Sequence, residues 1–203
     1  MLSVKLDTLW YDDTAPAIKG INEATSNVLA YTNSLYRNSN QLRDVLRDIY
    51  AVCKLWATNT YVGQPKPDDV REAFQSFFEA LMAMLIKLKD SSITNERDLS
   101  TLLLYQGTVY RYLGTASSSD KHVMPQYNDI YVSWSKKPRN SYFESKLLSP
   151  ITWMACEIKE PRYGINLAAI CSLEGEQEVV FPTIQECITQ IDYRKEEEDD
   201  EDC

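Results

Sequence analysis

Gln106-Gly107-Thr108-Val109-Tyr110-Arg111-Tyr112-Leu113 is the stretch at which the apolar period of the chain changes. Before it, hydrophobic residues recur at helical spacing. From Thr108 they alternate, so that Val109, Arg111 and Leu113 fall on one face of an extended segment. Helices first and strands afterwards, with no internal repeat, predict an α+β fold.

Upstream, Pro16 suits a helix first turn, and Ile18, Ile21, Val28 and Leu29 follow at roughly helical spacing. The polar stretch Tyr31 to Asn40 reads as a break whose Asn and Ser residues can cap the next helix. There Leu42, Val45, Leu46, Ile49, Val52 and Trp56 make one apolar face, and Arg43, Asp44, Arg47 and Asp48 are expected in water. Gly63-Gln64-Pro65-Lys66-Pro67 ends that helix, and Asp68 or Asp69 can start another. In this third helix Val70, Phe74, Phe77, Phe78, Leu81, Met84, Leu85 and Leu88 give the widest apolar face in the chain, which is core and not a cofactor box. A short amphipathic piece, Asn95 to Tyr105, leads back to the opening stretch.

Downstream, Arg111 places a guanidinium between two apolar residues on a strand. It either snorkels to water from an edge strand or holds a phosphate or carboxylate. In Asp129 to Lys136, Ile130, Val132 and Trp134 face one way and Tyr131, Ser133 and Ser135 the other, a polar face that is solvent-exposed or lines a pocket. Lys136 to Phe143 is a basic, aromatic-ended loop that reads as a solvated turn. Ile151 to Ile158 and Cys187 to Tyr193 read as further strands, and Tyr163 to Leu167 as a turn into a short element. Between them, Gly175-Glu176-Gln177-Glu178 runs into the apolar strand Val179-Val180-Phe181, which Pro182 ends. In an extended backbone Glu176 and Glu178 share a face, and like charges so placed repel. Either the pair lies on a solvated strand edge, or a cation or a sugar hydroxyl sits between them.

The chain has 203 residues, enough for one domain with a full core. A helical part spans about 14–105 and a strand-rich part about 106–194. The acidic run from Glu196 to Asp202 predicts a disordered tail over 195–203. A formal net charge of -9 disfavours extended binding along a phosphate backbone, though not a pocket for one nucleotide. The cysteines at 53, 156, 171, 187 and 203 form no C-x-x-C pair and no ligand-like spacing with His122, which predicts reduced thiols and no metal. With no signal-peptide h-region and no apolar run near ~20 residues, the expected setting is a cytoplasm, the cell's own or one reached by delivery, with no membrane partner.

Four stretches in order resemble the mono-ADP-ribosyltransferase superfamily, in its arginine–serine–glutamate branch of toxins, phage enzymes and ectoenzymes. Gln106 to Arg111 resembles the first core strand, Ser133-Trp134-Ser135 the Ser-Thr-Ser motif, and Glu176-Gln177-Glu178 with Val179 to Pro182 the Glu-x-Glu turn and catalytic strand. Tyr31 to Tyr36, with Asn40 and Leu42-Arg43, is similar to the helix-entry segment of toxin members. The likeness spans roughly Tyr31 to Tyr193. It departs at Tyr112, where a glycine is common, at Trp134 in place of threonine, and in a short loop between Arg111 and Ser133. The histidine-based branch fits poorly, since His122 falls in a polar loop.

The resemblance implies one domain over 1–194, with an N-terminal helical half packed on a mostly antiparallel split β-sheet core of ADP-ribosyltransferase type. It implies NAD as co-substrate and transfer of ADP-ribose to a macromolecule, an arginine of a target protein first, by a toxin, effector or phage-type enzyme of the glycosyltransferase class. Glu178 would stabilise the oxocarbenium-like transition state, Glu176 would contact the acceptor, and Ser133 would orient Glu178 or the ribose. Arg111 would hold the diphosphate, with Tyr110 and Ser135 among the cofactor-binding residues, and Tyr142 or Phe143 would stack on nicotinamide. The alternatives are nucleic-acid-directed transfer, which the acidic balance disfavours, NAD glycohydrolysis, or an inactive relative acting as a binding module.

Overall fold

The computed structural model describes residues 14–59, 68–114, 132–137, 152–158, 162–170, 177–181 and 191–195. The chain divides into two compact units, Met1–Leu104 with Ala169–Cys171, and Tyr105–Ala168 with Ser172–Cys203. The α+β class holds: four helices precede a sheet whose registered pairings are all antiparallel.

The first unit contains α1 (Thr14–Asn33), α2 (Ser39–Asn59), α3 (Asp68–Lys89) and α4 (Thr94–Leu103). α3 buries Val70, Phe74, Phe77, Phe78, Leu81, Met84, Leu85 and Leu88, the face its periodicity predicts. Asp68 and Asp69 in its first turn and Lys87 and Lys89 in its last complement the helix dipole. Trp56 of α2 meets Phe74 and Phe78 edge-on at ring-centroid distances of 5.1 and 5.4 Å. Each such buried side chain contributes about 1.5–3 kcal/mol of transfer free energy. α1 packs against α2 and α3, and α3 against α4.

The start of α2 is set by a reciprocal cap. Asn38 Oδ1 accepts from the backbone N–H groups of Asn40 and Gln41, both at 3.0 Å, while Gln41 Oε1 accepts from Asn38 N–H at 3.1 Å. α1, however, does not break at Tyr31. It continues through Tyr31, Thr32 and Asn33, because Tyr31 and Thr32 are buried and the Lys87 ammonium donates to the Thr32 carbonyl at 2.6 Å, capping the last turn. Leu29, expected on the apolar face of α1, is exposed. Asp48, expected in water, is buried against α1, where Asn27 Nδ2 donates to its carboxylate at 2.6 Å.

Glu96, in the first turn of α4, is fully buried and ties the α1–α2 turn to the α3–α4 turn. Its Oε1 accepts from Tyr31 Oη at 2.6 Å and from Arg37 Nε at 2.8 Å, and its Oε2 accepts from Arg37 Nη2 at 3.2 Å and from Ser91 Oγ. Burial pushes the Glu96 carboxyl up. The bonds from Arg37, Ser91 and Tyr31, with the guanidinium charge, outweigh it and hold the group below the usual carboxylate range. Burial and the bond to Glu96 push the Tyr31 phenol up.

The second unit carries the sheet. Its strands are β1 (Leu104–Tyr105), β2 (Gly107–Gly114), β3 (Val132–Ser135), β4 (Thr152–Ile158), β5 (Gly164–Asn166), β6 (Glu178–Phe181) and β7 (Ile191–Lys195), in the order β1-β5-β6-β3-β2-β4-β7. β7 runs to Lys195, so the strand continues into the first position assigned to the acidic tail; 196–203 lie outside the described residues. β6 is buried along its whole length, as a continuous apolar run predicts. Gly164 lets β5 approach β6 closely: a Cβ there would overlap Val179 and come within 3.0 Å of Phe181.

Arg37→Met would leave the Glu96 carboxylate buried without its countercharge, and urea unfolding should show a loss of about 3 kcal/mol. A carboxyl depressed by folding contributes stability above its unfolded pKa of about 4.3, and that stability is lost as pH falls through the lower folded value. The melting temperature should therefore fall as pH drops below that range, and Glu96→Gln should flatten this part of the profile.

Candidate active site

The strands that carry the three motifs are neighbours, in the order β6-β3-β2. Register sets Ser135 opposite Glu178 and Tyr110 opposite Ser135. Residues directly opposed in antiparallel strands share a face, so Tyr110, Ser135 and Glu178 form one row across three strands. Ser133, opposite Val180, holds the same face two positions along β3.

Glu178 is 4 % exposed and Ser135 is 6 % exposed. β6 lies between β5 and β3, so Glu178 is an interior carboxylate and the solvated-edge reading of it fails. Placing a carboxylate there is costly unless polar groups surround it.

Arg111 occupies a different place. It pairs with Met154 across β2 and β4, and in the alternation of β2 it belongs with Val109, on the face opposite the row. Strand alternation thus brings together Tyr110, Ser133, Ser135 and Glu178 and leaves Arg111 at the alternate register. The shared-face reading of Glu176 and Glu178 falls partly outside the described residues, since Glu176 is not among them. Gln177 between them has φ of 47°, a left-handed conformation, so the extended backbone begins only at Glu178. Glu176, Tyr142 and Phe143 lie outside the described residues.

Two further groups belong to this end of the sheet. Lys136, the residue after Ser135, donates its backbone N–H to the Gln177 carbonyl at 3.0 Å, clasping the Ser-x-Ser strand to the Glu-x-Glu turn. Its Nζ stands 5.7 Å from the centroid of the Tyr105 ring. Burial, then the charge of Lys137, pushes the Lys136 ammonium down. Tyr105 is folded back by Gly107, whose φ of 135° an L side chain rarely adopts, and its Oη donates to the Thr108 carbonyl at 3.1 Å. Burial, then the charge of Tyr110, pushes the Tyr105 phenol up. In sequence Lys136 reads as part of a solvated turn, and only an aromatic partner 31 positions away, invisible to local pattern, marks it as half-buried.

On the other face, Trp134 is 2 % exposed and packs edge-on against Phe181 at 6.0 Å, while its indole N–H has no hydrogen-bond partner among the described residues. Among the described residues no cluster of His, Cys, Asp or Glu could hold a metal ion, and no helix is long and apolar enough to cross a membrane. No family model, no curated protein and no solved structure matches this chain.

The left-handed backbone at Gln177 costs a non-glycine residue about 1–2 kcal/mol. Gln177→Gly should therefore hold or raise the melting temperature, and Gln177→Val should lower it, as calorimetry on the two variants would show.

Proposed function

We propose that this protein consumes NAD, transferring ADP-ribose to a macromolecular acceptor, an arginine side chain of a target protein in the first instance. The observation that carries the reading is the row Tyr110, Ser135 and Glu178 on three adjacent strands, with a carboxylate kept in the sheet interior. The finer fold expectation, a split sheet of ADP-ribosyltransferase type, belongs to the same proposal.

In the reaction, the bond between nicotinamide and ribose C1′ breaks and its electron pair leaves with the neutral pyridine. Positive charge grows on the ribose. Glu178, accepting a hydrogen bond from a ribose hydroxyl, stabilises that charge more in the transition state than in the ground state, which is the condition for raising the rate. Ser133 and Ser135, on the same face, orient the carboxylate and the ribose. A guanidinium nitrogen of the acceptor then forms the new bond to C1′ and gives up a proton, for which Glu176 is the assigned receiver. Low exposure at Glu178 suits the chemistry, because a carboxylate shielded from water acts more strongly on a developing cation.

A second reading is favoured by Arg111. Its register position is with Val109 rather than with Ser135 and Glu178, so it is not part of the row. A relative that keeps the strands and has lost the chemistry would tolerate this, and would act as a binding module.

Incubation with NAD labelled on the adenylate separates the readings. Label on protein supports transfer, label on nucleic acid redirects the acceptor, free ADP-ribose supports hydrolysis, and no turnover supports the binding module. Glu178→Gln should lower turnover by roughly a hundredfold or more with an unchanged melting temperature. Glu176→Gln should spare NAD hydrolysis and lose transfer to arginine; retention of arginine transfer would overturn the acceptor assignment.

A further inference from the structure

Lys136 follows the row's Ser135 directly at the end of β3. The backbone of Lys136 is bonded to the residue preceding Glu178, it follows Ser135 directly, and its ammonium is held over the Tyr105 ring, whose own phenol is fixed to the Thr108 carbonyl. Among the described residues no carboxylate stands within ion-pair distance of its Nζ, in a chain with 30 Asp and Glu against 21 Lys and Arg. An aromatic face compensates a half-buried ammonium only in part, and leaves its N–H donors open to an anion. Lys137, the adjacent cation, is exposed, and its backbone N–H is committed to Ser135 Oγ at 3.2 Å.

We propose that Lys136 is the diphosphate ligand of this site, the ammonium over Tyr105 binding the pyrophosphate of a nucleotide donor whose ribose lies against Ser135 and Glu178. The assignment rests on the NAD-consuming reading for the identity of the donor. The anion contact itself follows from the geometry at the end of β3. Tyr105 is a positioning residue that holds the lysine stem and keeps the ammonium out of bulk water.

Calorimetric titration of the full chain with ADP-ribose and with inorganic pyrophosphate tests the assignment. Lys136→Met and Lys136→Gln should each weaken both ligands roughly ten- to hundredfold, the loss of one charge-assisted bond to phosphate. Both should also flatten the salt dependence of binding. Lys136→Arg should keep most of the affinity, and Lys137→Met should change little. Melting temperatures of the neutral variants within a few degrees of the parent separate loss of a ligand from loss of the fold. Binding by the parent protein that is unaltered in both neutral variants overturns the proposal, and if NAD turnover persists the functional reading survives it. A parent that binds neither ligand also overturns it. Lys136-dependent binding of pyrophosphate and ADP-ribose without NAD turnover sustains the anion site and removes the enzymatic reading.

Discussion

The register in which Ser135 stands opposite Glu178 governs the sheet. Side chains alternate with a period of two, so a slip of β6 by one residue along β3 would carry Glu178 into the layer of Trp134 and set Val179 and Phe181 on the side of Ser133 and Ser135. That exchange would put a carboxylate beside the indole and set apolar side chains against the serines. Burial on both faces of β6 makes the alternative expensive, and the Lys136 N–H bond to the Gln177 carbonyl pins the register at the strand end. The same constraint assigns Arg111 to the layer of Val109, because Tyr110 is already committed to Ser135.

The helical unit depends on a comparable fixed point of opposite character. Glu96 gathers Tyr31, Arg37 and Ser91, drawn from the ends of two turns, onto a single carboxylate shielded from water. Hydrophobic matching alone would let α1 slide along α3 by a turn, since both present extended apolar faces. A directional cluster with four donor bonds admits only one arrangement, and the α1–α2 turn is further fixed by the reciprocal Asn38 and Gln41 cap.

Regular periodicity was what could be read from residue types alone. The face of α3, the alternation of Trp134 and Ser135, and the cap at Asn38 all follow from spacing within a few positions, and they appear where spacing puts them. The misplaced residues share a different cause. Asp48 looks solvated until Asn27 supplies a partner, and the burial of Glu96 depends on Tyr31, 65 positions away, and on Arg37. Tyr31 itself looked like part of a break because its polar neighbours obscure a buried ring. Gln177 carries no signal of its left-handed backbone, since glutamine has no preference for it, so the residue at which the extended strand begins is not legible in residue type.

Trp134 sets a cost in stability at the centre of β3. An indole donor buried with no acceptor among the described residues costs about 1–3 kcal/mol relative to a paired one, and its residue stands in sequence between the two serines of the opposite, polar face. A phenylalanine would fill most of the same space with nothing left unsatisfied. This strand is therefore not at its thermodynamic optimum, and a screen for heat resistance would drift toward replacing the residue at its centre. Stability-guided redesign would rewrite this segment before it touched α3, whose aromatic cluster has no comparable defect among the described residues.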